Sequence, residues 1–137
     1  MSEITPYLTF HSSTPKTATS NATVTFRFTS QPVHSNGTGN VHGGCISTLF
    51  DFCTSAVFGM VNRPGHWFFL GVSRSLNVTY LRPMPIGEEV LVESELLSAG
   101  RNLAHIKGRI RRVSDGTVLA TCEHDKVNAD PPAESKL

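Results

Sequence analysis

One segment of this chain keeps helical period, while the long stretch that follows keeps period two. From Gly43 to Val61 the apolar residues Ile46, Leu49, Phe50, Cys53, Val57 and Met60 recur at steps that place them on one helical stripe. Asn62-Arg-Pro-Gly65 ends that helix. Before it, Thr23–Thr29 alternates, with Val24, Phe26 and Phe28 on one face. After it come strands at Phe69–Tyr80, stopped by Pro83 and Pro85, then Glu88–Leu97, Leu103–Val113 and Thr117–Val127. Ala99-Gly100-Arg101 and Ser114-Asp115-Gly116 supply the turns. Tyr7–His11 is a candidate short edge strand. Short connections predict an antiparallel meander. One long helix against a curved antiparallel sheet is an α+β architecture.

The length of 137 residues suits one domain with its own core. Residues 1–22 form a Ser/Thr-rich N-terminal segment, 23–127 the folded domain, and 128–137 a flexible polar tail. A net charge of +1 gives no electrostatic footprint for a nucleic-acid partner, and no apolar run approaches a membrane span. Cys45, Cys53 and Cys122 contain no C-x-x-C and read as reduced thiols. The last residues, Ser135-Lys136-Leu137, match the tripeptide read by the peroxisomal import receptor. The expected setting is therefore peroxisomal, or cytoplasmic if that ending is a coincidental surface tail.

The chemistry is concentrated in Asn36–Asp51, NGTGNVHGGCISTLFD. Gly43 and Gly44 leave backbone N–H groups open at a helix start, where the dipole favours developing negative charge. Such donors can polarise a carbonyl. Asp51, two turns on, offers a general base or a nucleophile. It falls on a second helical stripe, with Gly44, Thr48, Ser55 and Gly59, whose small residues would let another backbone approach. Read singly, the two glycines could be a simple loop-to-helix corner, His42 a structural histidine and Asp51 an ordinary exposed helix aspartate. His42 and Asp51 have no obvious third ligand, which argues against a metal site. Cys45 lies on the apolar side of the helix and suits packing better than nucleophilic attack. Trp67-Phe68-Phe69 fits either core or a tunnel lining.

The spacing Asn36-x5-His42-Gly43-Gly44-x6-Asp51 resembles the active-site signature of hotdog-fold acyl-CoA thioesterases, in the phenylacetate-pathway and thioesterase-superfamily-member-2-like branch. Asn77-Val-Thr-Tyr-Leu-Arg-Pro83 with Gly87, Gly100-Arg101, Asp115-Gly116 and Val118-Leu-Ala120 extend the resemblance over residues 23–127. The N-terminal segment does not clearly match.

The resemblance implies a hotdog fold, a long helix wrapped by the sheet. It implies a homodimer or homotetramer with sites between subunits, acting on acyl-CoA. In the implied roles, the Gly43 N–H polarises the thioester and Asp51 from the partner subunit is base or nucleophile. Asn36 positions the thioester or the water, Ser73 orients the water, and His42 supports the loop. Arg101, His124 and Lys126 match positions near the coenzyme A phosphates, although Arg101 could be only a turn residue and His124 and Lys126 only solvated strand positions. The implied reaction is hydrolysis of a fatty-acyl or aryl-acyl CoA, needing no cofactor beyond the coenzyme A of the substrate. Two alternatives stay open: a hotdog 3-hydroxyacyl-thioester dehydratase, and a non-catalytic acyl-CoA-binding protein.

Overall fold

Period two becomes strand nearly everywhere the sequence shows it. The computed structural model describes residues 3–131. Its strands are β1 (Leu8–Thr14), β2 (Thr23–Thr29), β3 (Val72–Tyr80), β4 (Glu89–Ala99), β5 (Leu103–Arg112) and β6 (Val118–Val127). They form one antiparallel sheet in the order β1-β2-β4-β5-β6-β3. The helix α1 (Gly43–Ser55) continues as a 3₁₀ turn over Ala56–Met60, so it tightens before Val61 instead of running to it. The α+β expectation is met.

Three local expectations change. The meander is real for β4-β5-β6, but β3 does not pair with β4. It crosses the sheet to lie beside β6 and forms an outer edge. The Pro83–Pro85 link cannot make a tight hairpin, and the chain there pairs instead with the Asn36–Val41 loop through Val41 N–H to Met84 O, 2.8 Å. The strand expected from Phe69 begins at Val72, because Trp67, Leu70 and Gly71 all have positive φ (60°, 65° and 66°) and make a turn. The Asp130 carboxylate accepts from the N–H groups of Phe68 and Phe69 and pins that turn. The chain is therefore anchored past residue 128, since the Asn128 side chain also donates to Gly65 O and Arg101 O. The tripeptide Ser135–Leu137 lies outside the described residues.

The apolar stripe of α1 faces the sheet as the spacing predicts. Ile46, Leu49, Phe50 and Cys53 pack with Phe28, Val90, Val92, Ile110 and Leu119. Val57 and Phe58 pack with Trp67, Leu96 and Ile106. Burying each such large side chain stabilises the fold by about 1.5–3 kcal/mol. Trp67 belongs to this core: it stacks on Phe58 at 4.6 Å and its indole N–H donates to Gly100 O. Phe68 and Phe69 stay exposed. Gly108 lets α1 come close, for a Cβ there would lie 2.8 Å from Cys122 Sγ and 3.2 Å from the Phe50 ring. By length and composition Gly43–Met60 could cross a bilayer, contrary to the sequence expectation. In the fold its apolar side is covered by the sheet.

Candidate active site

The first part of the site is the start of α1. His42 is the N-cap, with extended backbone (φ −61°, ψ 137°), and its Nδ1 accepts the Gly44 N–H at 2.8 Å. That cap contributes about 0.5–2 kcal/mol to the helix. The Gly43 N–H has no acceptor among the described residues and remains an open donor at the positive end of the dipole. The Tyr80 hydroxyl fixes the corner by donating to Gly43 O at 2.8 Å, and it lies 2.8 Å from Ser47 Oγ. Asn36, Gly43, Ile46 and Tyr80 line one shallow cavity of about 360 Å³. The Asn36 Oδ1 holds its own loop by accepting from Thr38 N–H and Thr38 O–H. The structure thus brings Asn36, His42 and Gly43 together.

Two turns along the helix lies the second part. Residues Leu76 and Val78 of β3 face His124 and Cys122 on the helix side of the sheet. Strict alternation would put Arg74 on that side too. A register shift between Ser73 and Ser75 turns Ser73 inward and leaves Arg74 exposed. The Ser73 Oγ then sits 2.7 Å from His124 Nε2. On the other side of the ring, His124 Nδ1 is 2.7 Å from Thr54 Oγ1, whose own proton goes to Phe50 O at 2.6 Å. The Asp51 Oδ1 lies 3.9 Å from His124 Nε2, and the Asp51 side chain is 56% exposed. Burial, with Lys126 nearby, pushes the His124 imidazole below its ordinary range; Asp51 and Asp125 oppose this. The ring is therefore neutral near pH 7, and the 3.9 Å contact is a polar neighbour rather than an ion pair.

His124 and Lys126 are not at the surface, which corrects the solvated-strand alternative and separates them from Arg101. His124 is fully buried, and Lys126 is buried with its Nζ donating to Ser55 Oγ at 2.5 Å. Desolvation lowers the Lys126 amine while Asp51 raises it. Arg101 stands apart at the β4–β5 turn, where it lines a polar cavity of about 720 Å³ with Arg63, His66 and Asn102. Cys45 is half-buried and its thiol is pushed up by burial. Burial also raises Cys122 to about 12, so neither thiol is an activated nucleophile. Among the described residues no group of three His, Cys, Asp or Glu is placed to hold a metal.

Sequence reasoning missed Thr54 and Tyr80. The signals were present: Thr54 follows Asp51 by three residues on the same helix, and Tyr80 ends the β3 alternation that starts from Leu76. Period two likewise groups His124 and Lys126 with buried Ala120 and Cys122. What the assembled groups offer is an open main-chain donor at one place and a carboxylate with an accessible serine hydroxyl at another. That combination suits attack of water on a polarised carbonyl.

Comparison with known proteins points the same way. A family model described as Thioesterase superfamily matches residues 38–119. Acyl-coenzyme A thioesterase 13 of Mus musculus is 31% identical over 93 residues, which is 68% of this chain and 64% of that protein. The chain thus spans a little under two thirds of the length of that curated relative. Among solved structures, zebra fish thioesterase superfamily member 2 has a TM-score of 0.77 at 27% identity, covering 88% of this chain and 80% of that one. The Mus musculus thioesterase superfamily member 2 structure has a TM-score of 0.75 at 26% identity, with 88% and 81% covered. The sheet with its central helix is the hotdog arrangement that the motifs led one to expect.

Proposed function

This chain belongs to the thioesterase superfamily, and on that footing we propose that it hydrolyses acyl-CoA thioesters to the free acid and coenzyme A. The observation that carries the mechanism is a distance. Gly43 and Asp51 stand eight residues apart on one straight helix, a rise of about 12 Å. A thioester carbon must lie within roughly 3–3.5 Å of the attacking water while its oxygen meets the donor. One chain cannot do both. Two chains can, if the Gly43 end of one helix lies beside the Asp51 of its partner.

The edge strand β3 supports that pairing. Among the described residues nothing pairs with the outer backbone edge of its nine residues, and Val72 and Tyr80 are exposed there. Two β3 edges running antiparallel about a two-fold axis would set the helices head to tail. In the resulting site the Gly43 N–H, with Asn36 beside it, takes the thioester oxygen as it gains charge. Asp51 and Ser73 of the other chain hold the water, and Asp51 removes its proton or attacks in its place. The Arg101 cavity receives coenzyme A phosphates. The substrate class is fatty-acyl or aryl-acyl CoA, and the setting is the peroxisome through Ser135-Lys136-Leu137, which a fluorescent fusion with and without the tripeptide would test.

The test of activity is thiol release from a panel of acyl-CoAs, with loss of water from a 3-hydroxyacyl thioester as the competing assay. Thiol release abolished in Asp51→Ala, with the fold intact by circular dichroism, is the expected result. Full activity in that variant would remove Asp51 from the reaction.

A further inference from the structure

We propose that Thr54 is a positioning residue, which acts through His124 to fix the Ser73 hydroxyl as an acceptor from the attacking water. The proposal rests on Ser73 and Asp51 holding that water. A water molecule has two protons and two lone pairs. With one proton bound by the Asp51 carboxylate and the other by Ser73 Oγ, both lone pairs are left free and one of them meets the carbonyl carbon. A Ser73 that donated its own proton to the water would tie up one lone pair, draw electron density from the attacking oxygen and leave one water proton unheld, which blunts the attack.

The hydroxyl's direction is set by a chain of hydrogen bonds with one sense. It ends at the Phe50 carbonyl, which can only accept. Thr54 O–H donates to it at 2.6 Å, so Thr54 Oγ1 is left to accept from the ring nitrogen 2.7 Å away. That requires the imidazole proton to sit on Nδ1. The neutral ring then has a bare Nε2, and the Ser73 proton, 2.7 Å away, is drawn to it. The other charged groups on the ring's side of the sheet are Asp51 on the helix and Lys126 on its own strand, while Asp125 acts on the ring from the opposite face, where it holds His105. Burial of the ring favours the neutral form in which the relay works, and protonation of Nε2 would reverse the last bond.

The experiment uses the full chain labelled with ¹⁵N-histidine at pH 7.5, with the ring nitrogens of His124 assigned through bonds. The expected spectrum shows Nδ1 protonated and Nε2 bare. Thr54→Val should lose that preference and lower kcat by about ten- to a hundredfold with KM little changed, and Thr54→Ser should restore both. An Nε2-protonated ring in the unaltered protein, or an unchanged kcat in a folded Thr54→Val, would overturn the proposal. The spectrum needs no substrate. Its outcome is therefore separable from failure of the hydrolase reading, which would appear as no thiol release by the unaltered protein.

Discussion

His105 and His124 sit on adjacent strands, His105 opposite Asp125 and His124 opposite Ile106, yet they live in opposite environments. On the outer face of the sheet His105 is paired with Asp125 and lies 3.5 Å from Glu123, and the Asp125 hydrogen bond raises its ionisation. On the inner face His124 is fully buried between two hydroxyls, and burial lowers it. The outer face balances charge with charge: Glu93 bridges Arg109 and Arg111, and Arg27 meets Glu89. The inner face holds polar groups by hydrogen bonds of fixed direction and leaves one carboxylate, Asp51, open to solvent. Charge pairing on a wet surface adds little stability, whereas a desolvated, directed network can control a reacting water. The comparison assigns solvation to one face and chemistry to the other.

The sharpest way to break this division is Asp51→Asn. Asp51 is largely exposed, and its charge reaches only the His124 ring at 3.9 Å and the buried Lys126 amine among the described residues, so the fold should be kept with a small loss of stability while turnover falls about 10²–10⁴-fold. Thiol release with a parallel thermal melt checks both halves. Next is Gly43→Pro, which deletes the open N–H at the first helical position, where proline is tolerated. The extended His42 suits a following proline, and a Cβ at Gly43 meets only the Tyr80 ring at 3.4 Å. Turnover should fall about 10²–10³-fold with helix content kept, and Gly43→Ala, which retains the donor, should lose far less.

Stability separates the faces as well. On the inner face Gly108→Val forces a side chain against Cys122 and Phe50. A loss of about 1–3 kcal/mol is expected by denaturant unfolding, against under about 1 kcal/mol for Arg109→Gln outside. The smallest effect is in pH. Because the folded-state ionisation of His105 is raised, its stabilisation is full below about pH 6.5 and is lost as pH rises through the raised value. His105→Gln should therefore be less stable than the parent at pH 5 and equal to it at pH 9, by under about 1 kcal/mol. His124 has the opposite sign: its contribution is full above about pH 6.5 and is lost as pH falls through its lowered value.

Much of this was legible in the chain itself. Thr23–Thr29 is a strand with the bounds its alternation gives, and the stripe from Ile46 to Val57 is buried as its spacing requires. Those signals are local and periodic, so a single sequence carries them. What was hidden depends on partners distant in sequence. The shift that turns Ser73 inward is invisible to period two, which would have chosen Arg74. The apolar Trp67–Leu70 looks like strand, but positive φ and the Asp130 carboxylate make it a turn. The pairing of β3 with β6 comes from a crossover that short-connection reasoning cannot see. The burial of His124 and Lys126 was hidden because polarity masked their inward parity, and the hydroxyls of Thr54, Ser73 and Ser55, with the Asp51 carboxylate, make it tolerable.

A site shared by two chains is most directly tested by mixing defects. Gly43→Pro and Asp51→Asn chains should each be inactive alone. Refolded together in equal amounts, half of randomly paired dimers would be mixed, each with one site bearing both lesions and one bearing neither, restoring about a quarter of the parental thiol release. A mixture no more active than the sum of its two components would contradict the shared site.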